Sequence, residues 1–133
     1  MASTTVPESH RNLLDSPIVT LATTGPDGAP QVTAVWFMVD DDGKVAVSLN
    51  TSRQKTKNLR RDPKATLFFV DPANPYRTLE IRARAETTPD PDYAFADRLK
   101  DKYGPGGDLR GADRPGESRV AVRFIPVKVN IFG

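Results

Sequence analysis

Apolar and polar residues alternate along this chain in short runs broken by turn-forming residues, and a helical period is rare. Ile18–Thr24 is rich in β-branched residues and predicts a first strand. Gly25-Pro26-Asp27-Gly28 follows. Pro presets φ there and Gly tolerates positive φ, so the chain is expected to fold back into a second strand, Gln31–Val39. Asp40-Asp41-Asp42-Gly43 repeats the device before Lys44–Asn50, where Val45, Val47 and Leu49 alternate with Lys44, Ala46 and Ser48. These three strands are expected in meander order. Ala65–Val70 and Thr78–Ala85 are the next strands, and Arg119–Phe124 and Lys128–Phe132 the last. Leu79 and Ile81 alternate with Glu80, Arg82 and Arg84, so one face of that strand meets water or another chain.

Helices are few. Pro7–Leu14 starts on a proline suited to a first helical turn and stops at Ser16-Pro17. Thr51–Asp62 is polar, compatible with a helix, and stopped by Asp62-Pro63. In Pro91–Tyr103, Tyr93, Ala96, Leu99 and Tyr103 fall at intervals of three or four. Gly104–Ser118, with five glycines and two prolines, reads as a structureless connection, a plain loop or a lid. The pattern as a whole predicts a mainly β protein of six or seven short antiparallel strands. Closure into a small barrel would remove exposed edges, and the helices are too few to cover a parallel sheet.

Composition narrows the function more than the fold. The 133 residues suit one domain, 1–133, and 12 Pro and 9 Gly agree with many short elements. A hydrophobic fraction of 38% is lean, which suggests burial against a second copy. With no Cys there is no thiol nucleophile, disulfide or thiolate metal site, and the single His10 is a poor basis for a metal or haem centre. A net charge of +2 does not by itself point to nucleic acid. No apolar stretch is long enough to span a bilayer, so the expectation is a soluble cytoplasmic protein with no metal and no membrane partner.

One segment departs from this even distribution of charge. Thr51-Ser52-Arg53-Gln54-Lys55-Thr56-Lys57-Asn58-Leu59-Arg60-Arg61 places Arg53 and Lys55 in a first helical turn if Thr51 or Ser52 is the N-cap. Each cation there costs about 0.3–1 kcal/mol, because the helix start already carries partial positive charge. A bound anion, held by free N–H groups, a hydroxyl and the basic side chains, would offset that cost, and a phosphate fits. A solvated basic face explains the same residues. A nucleic-acid patch is the weaker reading, since no aromatics interleave the cations.

The order of these features resembles the pyridoxamine-phosphate-oxidase-like split-barrel superfamily. The most specific parts are Ala29-Pro30-Gln31-Val32-Thr33-Ala34-Val35-Trp36-Phe37 and Arg53-Gln54-Lys55-Thr56-Lys57-Asn58-Leu59-Arg60-Arg61-Asp62-Pro63. Within the superfamily the chain looks most like the actinobacterial F420-dependent reductases of the flavin/deazaflavin oxidoreductase B group. The resemblance implies a homodimer with coenzyme F420 in a groove at the subunit interface. Reduced deazaflavin would then pass hydride to an unsaturated or quinone-like small molecule. It places Gln31, Val32, Thr33, Ala34, Val35 and Trp36 along the deazaflavin ring, and Ser48 and Leu49 beside the ribityl chain. Thr51, Ser52, Arg53, Gln54 and Lys55 would bind the phosphate, with Lys57 and Arg60 near the acidic tail. Asn74 and Tyr76 would reach in from the second subunit. It names no protein acid.

FMN would fit the same anion site and is the alternative cofactor; a non-catalytic F420-binding protein is the alternative role. The C-terminal Val127–Gly133 carries no Arg or Trp, which departs from true pyridoxamine-phosphate oxidases.

Overall fold

The computed structural model describes residues 3–104 and 109–133. Seven antiparallel strands form one sheet that curls into a half-barrel, in the order β2-β1-β5-β6-β7-β4-β3. The strands are β1 (Val19–Thr24), β2 (Pro30–Val35), β3 (Met38–Val39), β4 (Val45–Asn50), β5 (Lys64–Asp71), β6 (Asn74–Pro89) and β7 (Arg119–Phe132). Three α-helices accompany them, α1 (Gln54–Arg61), α2 (Ala94–Lys102) and α3 (Leu109–Ala112), with a 3-10 helix at Glu8–Asp15.

The inward positions are those the alternation marks. Val19 and Leu21, Val47 and Leu49, Leu67 and Phe69, Leu79 and Ile81, and Val120, Val122 and Phe124 are all buried. Phe37 is fully buried and packs edge-on against Phe69, with ring centroids 5.4 Å apart. His10 is buried too, its Nε2 3.1 Å from the Phe132 carbonyl oxygen, so it ties the N-terminal 3-10 helix to the end of β7.

Several expectations change. Gln31–Val39 is not one strand: β2 ends at Val35, and β3 pairs with β4 at the opposite end of the sheet order. The meander therefore breaks at Trp36–Phe37, where the chain drops Phe37 into the core instead of continuing the ladder. Conversely, Arg119–Phe132 is one strand, because an extra residue at Val127 makes a bulge opposite Arg82/Ala83 and lets pairing continue past Pro126. β6 likewise extends from Asn74 to Pro89, well beyond Thr78–Ala85. The connection after α2 is not structureless: it contains α3, and Asp113, Glu117 and Ser118 bond to the end of β4 and the turn beyond it. Its residues 105–108 lie outside the described part.

Candidate functional site

The start of α1 is built around Asn50, the last residue of β4. Asn50 is buried, and its amide is saturated. Its Oδ1 accepts from the Ser52 N–H (2.8 Å) and faces the Ser52 hydroxyl at 2.7 Å. Its Nδ2 donates to Asp113 (2.8 Å) and Glu117 (3.2 Å). The Thr56 hydroxyl donates to the Asn50 carbonyl from inside α1 (2.7 Å). These bonds hold Thr51–Arg53 in a tight turn, so the N-cap is Arg53 rather than Thr51 or Ser52, and no side chain caps the helix. Thr51 instead faces the Ser118 hydroxyl at 3.1 Å, and Ser52 lies 2.5 Å from Glu117 Oε2. The hydrogen bonds from Ser52 and from the Arg114 N–H hold the Glu117 carboxyl below the usual range.

Leu59 fixes α1 to the barrel, while Asn58 donates to Thr23 (3.0 Å) and Gln31 (3.1 Å) across the first hairpin. Gln54 donates to Asn58 along the helix (2.8 Å). Lys57 and Arg60 remain exposed on its outer side.

Six of the expected residues line one cavity of about 210 Å3: Val35, Trp36, Ser48, Leu49, Arg53 and Lys55. Asn50, Leu99, Leu109 and Arg119 complete it. Its floor is the outer side of the β4–β7 pair, where Ser48 lies opposite Ala121 and Asn50 opposite Arg119. α2 and α3 supply the apolar leucines on one side, and the start of α1 supplies the two cations.

Arg119 does not add a free charge. Its guanidinium meets Asp113 in a two-pronged ion pair at 2.9 and 3.0 Å, and Asp113 also accepts from Tyr93 and Asn50. Burial alone would raise the Asp113 carboxyl, but the hydrogen bonds from Arg119, Tyr93 and Asn50 outweigh it and hold it below the usual range. Tyr93 reaches Asp113 from a left-handed backbone conformation, φ 61°, the one non-glycine residue at positive φ among the described residues.

Arg53 and Lys55 have no carboxylate partner among the described residues. Burial, reinforced by the Arg53 charge, lowers the pKa of Lys55 from its ordinary value. Two unpaired cations at an uncapped helix start, beside a cavity, are an unbalanced arrangement that an anion would balance.

The remaining expected residues are dispersed. Gln31 and Thr33 alternate with Val32 and Ala34 along β2, so the run divides between the two faces of the strand and only Val35 and Trp36 reach the cavity. Asn74 and Tyr76 sit on the β5–β6 hairpin, where Asn74 Oδ1 accepts from the Tyr76 N–H (3.2 Å) and the Tyr76 side chain is exposed. Neither lines the cavity.

Tyr93 and Leu99 are expected only as part of a helix stripe, and Asn50, Asp113, Glu117 and Arg119 are not expected at the site at all. Arg119 is a charge at the start of an apolar strand, and Asp113 and Glu117 bracket a Pro-Gly turn.

Two larger cavities differ in kind. One of about 690 Å3 lies between the N-terminal segment and the β3–β4 hairpin, where the lining carries both signs of charge, Arg11 and Lys44 with Asp15 and Asp42. The other, about 630 Å3, lies along β1, β5 and β6 and includes Thr66, Arg82 and Val127. Among the described residues no cluster of His, Asp or Glu could hold a metal ion, and no helix is long and apolar enough to cross a membrane.

No curated protein matches the chain. Among solved structures, one described as an F420 reductase is 36% identical, with a TM-score of 0.80 over 94% of this chain and 98% of that one. The conserved hypothetical protein Rv2991 from Mycobacterium tuberculosis is 28% identical, with a TM-score of 0.76 over 99% of this chain and 88% of that one. A putative pyridoxamine 5'-phosphate oxidase from Listeria innocua, 20% identical with a TM-score of 0.69 over 93% and 95%, shares the fold. The family model for pyridoxamine 5'-phosphate oxidase matches residues 6–131, and the chain belongs to that family.

Proposed function

We propose that this protein is an F420H2-dependent oxidoreductase that reduces an unsaturated or quinone-like small molecule. The observation that carries the reading is the pair Arg53 and Lys55, without a carboxylate partner among the described residues at the uncapped start of α1, with Lys55 partly desolvated. Support for a deazaflavin comes from the likeness to the F420 reductase, and from Lys57 and Arg60, exposed farther along the same helix and suited to an acidic tail.

When bound, the deazaflavin supplies the hydride. The chain's own residues bind, orient and exclude water. Arg53 and Lys55 hold the phosphate, with Gln54 beside them. Ser52 is turned toward Glu117 and Asn50 and serves the turn as it stands. Val35, Trp36, Leu99 and Leu109 form an apolar wall, and Ser48 offers a hydroxyl at the floor.

A cavity of about 210 Å3 is smaller than the roughly 300–1,000 Å3 of most small-molecule sites, so one chain encloses only part of a flavin-sized cofactor. A second copy would enclose the rest. Val32, Phe68, Val70 and Phe132 are exposed on the outer side of the sheet, and the strand register puts their side chains on one face. That face is the proposed dimer contact, and Asn74 and Tyr76 are the partner residues it would bring to the groove.

Fluorescence titration with F420 and FMN in parallel tests the cofactor, and steady-state turnover of F420H2 then tests the activity. Tighter binding of F420 with turnover is expected. Preference for FMN would move the protein to flavin chemistry, F420 binding without turnover would make it a carrier, and binding of neither would leave Arg53 and Lys55 as a solvated face.

A further inference from the structure

Trp36 is the chain's only tryptophan and, among the described residues, the only aromatic side chain that lines the cavity. It occupies the bend between β2 and β3, a place where an exposed side chain would ordinarily be loose. Here it is held from behind. The Tyr103 ring lies parallel to it, with centroids 4.2 Å apart and planes 9° apart. That spacing leaves no room for a third ring between them, so a ligand has only the other side of the indole.

Tyr103 is fixed in turn by its hydroxyl. It accepts from the Phe37 N–H (3.0 Å), donates to the Pro17 carbonyl (2.7 Å) and lies 3.1 Å from the Phe37 carbonyl. One phenol thus ties the entry of β1 to the exit of β2 at the end of α2. Burial pushes its pKa up, though the Phe37 backbone pulls the other way. Lys102 adds a second clasp, donating to the Phe37 carbonyl (2.7 Å) with its ammonium 3.6 Å from the centroid of the Phe37 ring. Phe37 itself is fully buried, so the clasp is anchored in the core.

We propose that Trp36, held flat by Tyr103, is the wall against which the planar conjugated ring of the bound ligand lies, and that Tyr103 is its positioning residue. This rests on the reading of Arg53 and Lys55, which line the same cavity as Trp36, as the phosphate end. The Tyr103 hydroxyl is committed to backbone groups, so it orients and does not donate a proton to substrate. A rigid aromatic surface of this kind favours a flat ring because no side chain must be ordered at binding.

The test separates ring from phosphate. Riboflavin carries the ring without the phosphate, inorganic phosphate the reverse, and FMN both. Riboflavin is expected to quench Trp36 emission saturably, and Trp36→Leu to weaken FMN binding by about tenfold, a scale set by stacking on an aromatic side chain. Tyr103→Leu is expected to weaken FMN several-fold and to red-shift and depolarise Trp36 emission, while Tyr103→Phe, which keeps the ring but loses the backbone contacts of the hydroxyl, should fall between the parent and Tyr103→Leu in both readouts. In all three variants phosphate should compete as it does in the parent.

If Trp36→Leu and a folded Tyr103→Leu bind FMN within twofold of the parent, the wall is refuted. If Tyr103→Leu does not fold, Trp36→Leu and riboflavin quenching decide alone. Riboflavin without quenching, while FMN binds, refutes the wall and leaves the phosphate site standing. Riboflavin quenching with FMN no tighter supports the wall and refutes the phosphate site.

Discussion

Asp113→Ala should be the most damaging single substitution outside the barrel interior. The Asp113 side chain, just past the end of α3, is only 3% exposed, and the Arg119 side chain is 10% exposed. Removing the acid deletes two hydrogen bonds from Arg119 and one each from Asn50 and Tyr93. Arg119 would keep only longer contacts to Ser48, at 3.3 and 3.4 Å, and its charge would remain buried. Breaking a buried pair in this way costs about 3–5 kcal/mol. Against a total of roughly 5–15 kcal/mol that is a large share, and the melting temperature should fall by about 10–20 °C. The exposed pair Arg123–Asp42, at 40% and 59%, supplies the contrast: Asp42→Ala should cost under about 1 kcal/mol. Urea unfolding followed by Trp36 emission measures both. Adding Arg119→Met to Asp113→Ala should recover part of the loss, because the stranded charge goes with it. A loss below about 1 kcal/mol in Asp113→Ala, or no recovery in the double variant, would refute the claim that this ion pair holds the 109–118 segment on β4.

The other predictions concern the ligand and the assembly. Lys55→Ala should weaken phosphate or cofactor binding by about 1.5–3 kcal/mol, the scale of a charge-assisted hydrogen bond, with unchanged affinity in calorimetry removing Lys55 from the site. A lysine whose pKa is lowered loses its proton earlier as pH rises, so anion affinity should begin to fall below the ordinary lysine value of about 10.4; Lys55→Arg should shift that fall to higher pH. For Asp113 the sign is opposite: its lowered pKa adds stability present above about pH 4 and lost as pH falls through the folded-state value, and Asp113→Ala should flatten that acid limb in pH-dependent melting. Phe68→Glu should convert a dimer to a monomer by light scattering, and weaken cofactor binding with it; a dimer that survives would place the interface elsewhere.

Strand identity was legible because alternation has a direct cause: one face of each strand is buried, so Val45, Val47 and Leu49 or Leu79 and Ile81 declare themselves. Strand order was not. Nothing local in Gln31–Val39 says that Phe37 leaves the ladder, since that choice depends on Phe69, Lys102 and Tyr103, which lie 32, 65 and 66 residues away along the chain. The continuity of Arg119–Phe132 was hidden for a related reason. Pro126 argues for a break when read alone, and only the long partner β6 shows that a bulge at Val127 absorbs it.

The site divides along the same line. Arg53 and Lys55 stood out because they contradict the helix dipole, and a contradiction of local physics is visible without a fold. Asn50 contradicts nothing: an asparagine at the end of a strand is an ordinary turn residue. In the folded chain it is where three remote pieces meet, the Ser52 turn, the Asp113–Arg119 pair and the Glu117 carboxylate. The cations can face the cavity only because Asn50 fixes the turn that starts α1, and Asn50 is fixed by a segment more than sixty residues downstream. The 109–118 segment, which sequence pattern marks as loose, is therefore what sets the geometry of the charges that sequence pattern marks as functional. Weakening its attachment should disorder Arg53 and Lys55 at the cavity before it disturbs the barrel.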